Sequence, residues 1–237
     1  AWAGSQRYGA VLWSGDVHSS FSTLRNQLKA GLNMALAGIP WWTTDIGGFF
    51  GGDIRDPAFV ELLVRWFQYG AFCPVFRLHG DRRPEIPAEG TRGGGSFRSG
   101  SANEVWSFGD EAYGVMRKYM LIRERLRPYI RGLMKAAHEA GTPPMRPLFY
   151  DFPRDEGVWD VDDQFMFGPD LLVAPVLSAL ERSRSVYLPA GAAWTEAESG
   201  RRSEGGRRID CEAPLGSMPV FVREGAQRID RSLFLGL

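Results

Sequence analysis

Charge of either sign is not in excess in this chain: lysine plus arginine and aspartate plus glutamate each number 28. A neutral balance gives no general attraction for nucleic acid or for an anionic membrane, so neither is expected as a partner. No apolar run approaches the length of a membrane span. Histidine is limited to three residues, and His18 and His79 are not at metal-ligand spacing and form no His-Glu-x-x-His pair. A metal hydrolase therefore fits poorly. The absence of Gly-x-Ser-x-Gly argues against a serine hydrolase, and the absence of a Gly-x-Gly-x-x-Gly turn after a strand argues against a dinucleotide enzyme. No metal and no cofactor is expected. Cysteine is scarce as well: Cys73 and Cys211 lie far apart without Cys-x-x-Cys spacing, and Cys73 sits in an apolar run that predicts a buried free thiol.

What the chain does have is aromatic surface, 13% of its residues with eight tryptophans. Its 237 residues can bury a sizeable core in one large or two ordinary domains. The stretch Tyr8–Asp16, YGAVLWSGD, runs from an apolar strand through a small turn to an exposed carboxylate, Asp16. That order suits a β/α barrel, which presents catalytic groups at the carboxyl ends of its strands. It also suits an acid that simply belongs to the strand-to-helix loop or caps the next helix.

A helix is predicted from Ser20, with Phe21, Leu24, Leu28, Leu32 and Ala35 on one face and Gly38 and Pro40 as its stop. A second strand follows over Ile39–Thr43, ending in Asp45 and a glycine pair. Asp56-Pro57 then signals a second helix, with Phe59, Leu62, Leu63, Trp66 and Tyr69 inward. AFCPVFRLHG reads as a third strand ending in Arg77 and His79. Repeated units of this length imply a parallel sheet with right-handed crossovers. Pro84–Asn103, including GTRGGGS, reads as a flexible loop rich in glycine, proline and arginine, suited equally to a lid or rim beside a site and to a disordered segment. Asp110–Ala140 is a long helical pattern that Pro128 should kink or split. Its arginines Arg123, Arg125, Arg127 and Arg131 read as a solvated face. After Pro143 come short β-prone runs (MRPLFY, FMFG, LLVAPV, RSVYLP, RRIDCE, PVFVRE), which indicate an antiparallel sandwich, and the last dozen residues read as an irregular tail. The expected fold is therefore α/β plus all-β, with residues 1–142 as the first domain and 143–237 as the second.

Asp16, Asp45, Arg77 and His79 each stand just past a predicted parallel strand, and in a barrel such ends converge on one mouth. Two carboxylates there suit acid/base work on a polar neutral substrate, one ionised and the other held protonated. Trp13, Trp41, Trp42 and Phe49 would supply apolar walls able to stack on a sugar. Arg77 can equally be an ion-pair partner of Asp45, and His79 a hydrogen-bonded loop histidine.

The blocks WSGDV, WWTTDIGGF, FCPVFRLHG, RERLRPYI, GTPPMRPLFYDFP and FMFGPDLLVAPV, in that order from Arg7 to about Ala226, resemble glycoside hydrolase family 31, the α-glucosidase and α-xylosidase family. The resemblance implies a (β/α)8 TIM barrel followed by a β-sandwich, here only the C-terminal part of the barrel. It implies a retaining, exo-acting glycosidase that releases terminal α-linked xylose or glucose from oligosaccharides. It implies that Asp16 is the general acid/base and that Trp13, Asp45, Phe49, Arg77 and His79 line the sugar subsite. The form WWTTDIGGFFGG is closer to the bacterial α-xylosidase branch than to the mammalian α-glucosidase branch.

The departures are equally specific. The family nucleophile lies in a Trp-x-Asp-x-x-Glu type block that this chain lacks, and a subsite arginine would fall just ahead of Ala1. Gln227-Arg228-Ile229 replaces the family's closing apolar segment. The chain is thus expected to be a fragment with the last three barrel strands, inactive alone because a retaining site needs two carboxyl groups about 5 Å apart. Its open sheet edges are expected to seek the missing N-terminal part of the barrel or to self-associate. The other reading from the residues is a non-catalytic carbohydrate-binding or assembly module that kept the aromatic pocket.

Overall fold

The computed structural model describes residues 4–86 and 99–237. In its first part, three stretches of chain run side by side in one direction. β1 (Leu12–Trp13) pairs in parallel with β2 (Trp42–Thr43). Beyond β1 the chain stays in step with the second stretch, since the amides of Phe49 and Phe50 donate to the Val17 carbonyl at 2.7 and 3.0 Å. The second stretch continues into β3 (Gly52–Asp53), which is parallel to β4 (Arg82–Ile86). α1 (Phe21–Leu36) and α2 (Pro57–Gly70) are the crossovers between these stretches.

Both helices start where their caps predict. The Ser20 hydroxyl accepts from the Thr23 amide at 3.1 Å, and the Asp56 carboxylate accepts from the Ala58 amide at 2.9 Å, with Pro57 in the first turn. α1 buries Leu24, Leu28, Leu32 and Ala35 as its 3–4 spacing requires. Gly31, mid-helix, lets α1 sit directly on Trp42: a Cβ there would lie 2.7 Å from the indole nitrogen. Trp42 is 2% exposed and belongs to the core, so it is not the wall of a pocket.

The expected third strand, AFCPVFRLHG, is not regular. Pro74 has no amide to give, the described ladder there is the single bond from the Val75 amide to the Trp42 carbonyl at 3.0 Å, and regular pairing resumes at β4. The expected loop over Pro84–Asn103 also changes, because Pro84–Ile86 finishes β4 and pairs antiparallel with β5 (Ser99–Ser101). GTRGGGS lies outside the described residues.

Pro128 splits the long helix as expected, into α3 (Asp110–Arg125) and α4 (Arg127–Ala140), joined at Leu126. The solvated-arginine reading fails at Arg123. Its guanidinium donates to the carbonyls of Ala71, Cys73 and Pro74 at 2.9, 2.6 and 2.9 Å, satisfying the backbone of the irregular third stretch. Cys73 is a buried free thiol, and burial pushes its pKa up to about 12.

The second part begins with β6 (Met145–Arg146). Instead of continuing as a strand, MRPLFY turns at Pro147 into a four-residue helix, α5 (Leu148–Asp151), held by the Arg146–Asp151 ion pair at 2.7 Å. β7 (Phe165–Phe167), β8 (Leu171–Val173), β9 (Ser183–Leu188), β10 (Ala193–Glu196), β11 (Arg202–Glu204), β12 (Arg207–Glu212) and β13 (Val220–Arg223) follow. They form an antiparallel sheet of order β11-β10-β13-β8-β7-β6 and a separate β12-β9 pair.

The central strands are buried on both faces, and their period-two alternation sorts side chains into two cores. Phe165, Phe167, Leu171, Val173, Val220 and Val222 join the helices α2, α3 and α4 in the larger core. Met166, Leu172, Trp194 and Phe221 face Val186, Leu188 and Cys211 of the β12-β9 pair in the smaller one. The larger core crosses residue 142, so both parts share it. The tail has no strand, but Ile229 and Phe234 are buried against it. Among the described residues, no helix is long and apolar enough to cross a membrane.

Candidate active site at the strand ends

Gly15, at φ +79°, turns the chain out of β1 and leaves Asp16 exposed, with Trp13 48% exposed beside it. After β2 the second stretch makes a tight turn, in which the Gly48 amide donates to the Asp45 carbonyl at 2.9 Å. Gly48 is required there twice over. Its φ is +77°, and a Cβ would come within 2.7 Å of the Ser19 amide on the first stretch. The close approach of the two backbones is what brings their ends together.

Asp45 is wholly buried, and its Oδ1 accepts from Arg77, so the ion-pair reading of Arg77 holds. Asp45 Oδ2 and Arg77 Nε are buried without a partner among the described residues. Such atoms have spare hydrogen-bonding capacity. Phe49 is half-buried, its ring centroid 5.4 Å from that of the exposed His79. Phe50 packs edge-on against Phe49 at 4.6 Å and lies 5.9 Å from the ring of His18.

Electrostatics tie these side chains into one cluster. Burial pushes the Asp45 carboxyl above the ordinary carboxylate range, and the negative charge of Asp16 pushes the same way. Arg77, His79 and Arg82 oppose it. The charges of Asp16, Arg77 and His79, expected to converge with Asp45, therefore do act on that buried carboxyl. Phe49 stands against His79, while Trp13 is exposed on β1. Trp41 is half-buried and Trp42 lies in the core.

Sequence reasoning missed Arg82, which lies fully buried behind the cluster, and the rings of His18 and Phe50. The signal for Arg82 is slight: an arginine in a charged run, two residues after a glycine. Chemically, the cluster offers an exposed carboxyl able to exchange a proton, a buried carboxylate–guanidinium pair for hydroxyl groups, and flat rings for a sugar face. Among the described residues, no group of three or more His, Cys, Asp or Glu side chains is arranged to hold a metal ion.

Comparison with known proteins bears on the chain as a whole. The model described as the glycosyl hydrolases family 31 TIM-barrel domain matches residues 1–133, and that of the family 31 C-terminal domain matches residues 141–226. An alpha-xylosidase of Saccharolobus solfataricus is 42% identical over 226 residues, covering 95% of this chain and 28% of that protein. Alpha-glucosidase 2 of Bacillus thermoamyloliquefaciens is 34% identical over 227 residues, covering 94% of this chain and 26% of that protein. Among solved structures, a GH31 alpha-xylosidase from a soil metagenome, complexed with xylose, superposes with a TM-score of 0.92 at 61% identity. That match covers 96% of this chain and 34% of the other. The chain thus spans about a quarter to a third of the length of these relatives.

Proposed function

This chain belongs to glycoside hydrolase family 31, folded as a portion of its TIM barrel plus the C-terminal β-sandwich, and from that premise we propose that it carries the acid/base half of a retaining, exo-acting α-glycosidase site. Asp16 is the general acid/base. It protonates the departing glycosidic oxygen and then deprotonates the water that resolves the glycosyl-enzyme. Asp45 and Arg77 bind hydroxyl groups at the floor of the sugar subsite, and Trp13, Phe49 and His79 form its wall. The nucleophile comes from chain outside this sequence, so the 237 residues alone are inactive.

The observation that supports this most is the convergence of Asp16, Asp45, Arg77 and His79 at the ends of adjacent parallel stretches, with the charges of Asp16, Arg77 and His79 acting on buried Asp45. The substrate is terminal α-linked xylose or glucose on an oligosaccharide. Xylose is favoured, since a relative described as an alpha-xylosidase bound to xylose is 61% identical. We assign residues 1–142 to the barrel portion and 143–237 to the sandwich, with the turn at Gly141 between them. The free edge of β1 is where the rest of the barrel closes, or where isolated copies associate.

The test is the full-length protein assayed on aryl α-xyloside and α-glucoside side by side, with product stereochemistry read by NMR. The α-anomer should appear first. Asp16→Asn should lower kcat/KM by roughly 10²–10⁴-fold on a substrate with a poor leaving group. The loss should shrink with a leaving group that needs no proton. Inversion at the anomeric carbon, or an Asp16→Asn enzyme as active as wild type, would overturn the proposal. Binding of xylose without turnover by the full-length protein would favour a carbohydrate-binding module instead.

A further inference from the structure

Arg82 is an unusual residue to find at the first position of β4, because it is fully buried while the other four residues of that strand are exposed. Burying a guanidinium is costly unless its donors are used. Here they are used, and on the backbone of the candidate site. Nη1 donates to the Gly48 carbonyl at 2.6 Å, and Nη2 donates to the Ile46 carbonyl at 2.7 Å and to the His79 carbonyl at 3.2 Å. Nε is steadied by the side chain of Asn103 at 2.7 Å, and the guanidinium lies 5.1 Å from the Phe59 ring centroid.

The surrounding glycines are shaped to this group. A Cβ on Gly80 would meet Nη1 at 2.4 Å, and one on Gly47 would meet Nη2 at 3.1 Å. The guanidinium therefore occupies space that side chains at both turns would need. Its charge also acts on Asp45, favouring the carboxylate against burial. Burial brings the Arg82 pKa down to about 10, so the group stays protonated at neutral pH.

We propose that Arg82 is a positioning residue of this site, a single planar fork that fixes the turn carrying Asp45 and Phe49 and the turn carrying His79 relative to one another. It touches no substrate. It acts through the backbone of the residues to which a sugar-binding role was assigned above, and in that sense rests on that reading. Lysine could not replace it, because a compact ammonium lacks the fork that reaches carbonyls on two turns while holding Asn103.

Two readouts separate positioning from general scaffolding. In amide hydrogen exchange on the full-length protein, Arg82→Lys should speed exchange at Gly48–Phe50 and His79–Asp81 while the sandwich strands β7, β8 and β13 keep their protection. In kinetics, kcat/KM should fall by about 10²-fold, as expected for a misplaced binding group, with the alkaline limb of the pH profile, which reports the general acid, unmoved because Arg82 does not contact Asp16. Asn103→Ala removes only the support of Nε, and should change both readouts in the same direction by a few-fold. If Arg82→Lys does not fold, the same two readouts on Asn103→Ala decide the question. Unchanged exchange at both turns in the folded variants would overturn the proposal, and so would faster exchange spread evenly over the sandwich. A full-length protein without glycosidase activity would sink the catalytic reading, yet the exchange result would still decide whether Arg82 sets the two turns.

Discussion

The sandwich and the strand-end site solve the same problem, holding side chains in place, by different means. In the sandwich, position comes from repetition. β7, β8 and β13 alternate strictly between two cores, so neighbouring residues support one another through many small contacts. At the site, β1, β2 and β3 are only two residues long, and regular pairing orders little. Position there comes from individual polar bonds: Arg82 to two turns, Arg123 to the irregular stretch at Ala71–Pro74, and Arg77 to Asp45. The difference teaches where each kind of change should be felt. Apolar truncation in the sandwich should alter stability without altering chemistry. Single polar changes at the mouth should alter chemistry more than stability.

Phe221→Ala gives the largest expected effect on stability. Phe221 is fully buried in the smaller core, and truncating such a ring costs about 3–5 kcal/mol. Chemical denaturation should show that loss, while kcat/KM per folded molecule stays within about twofold of wild type, as for a site distant from the change. A parallel loss of activity would mean that the two regions are coupled through the core they share.

Asp45→Asn should give an intermediate effect, and one that depends on pH. Its folded carboxyl lies above the ordinary 3.8, chiefly through burial. Between those two values the folded state holds more protons than the unfolded state, so this group's contribution to stability is present at low pH and falls as pH rises through the folded pKa. Asparagine does not titrate, so the difference in unfolding free energy, wild type minus variant, should decline from pH 3 towards neutrality. The constant cost of leaving Arg77 without its partner moves that curve up or down but does not tilt it. A difference that rises with pH would show that the Arg77 ion pair outweighs burial.

The two regions also differ in how much their sequence discloses. The central sandwich strands are legible because each is a short continuous apolar run bounded by turn residues: FMFG, LLVAPV and PVFVRE become β7, β8 and β13. The first two barrel helices are legible from their caps, and the site carboxylates and His79 from their place after apolar runs. What stays hidden is the burial of charged groups. Arg123 looks solvated among its neighbours, and Arg65 gives no signal, although it is fully buried and donates to the carbonyls of Glu181, Ala213, Pro214 and Ser217. An arginine's sequence neighbours do not reveal which distant carbonyls lack donors, and only the fold brings those carbonyls within reach. Trp42 misleads for a related reason. An aromatic beside a site looks the same in sequence whether it faces the mouth or, as here, packs under Gly31 of α1. β10 and β11 escape a sequence reading because their short polar runs carry little apolar alternation.

The smallest expected effect tests the boundary between the regions most sharply. Ser20 caps α1 only four residues after Asp16, its hydroxyl accepting from the Thr23 amide at 3.1 Å. Ser20→Ala should cost about 1 kcal/mol, the usual value of a side-chain N-cap. The backbone just before it is held independently, because the Ser19 amide donates to the Phe50 carbonyl at 2.8 Å and the Phe49 and Phe50 amides donate to Val17. Those bonds lie between the cap and Asp16, so fraying of the first helical turn should stop at Ser19. The measurement is a pair of curves for the full-length variant, thermal unfolding and the pH dependence of kcat/KM. A lower Tm with an unmoved pH profile means that the short parallel ladder insulates Asp16 from α1. A displaced profile would mean that the helix start, and not the strand ladder, sets the position of the Asp16 carboxyl.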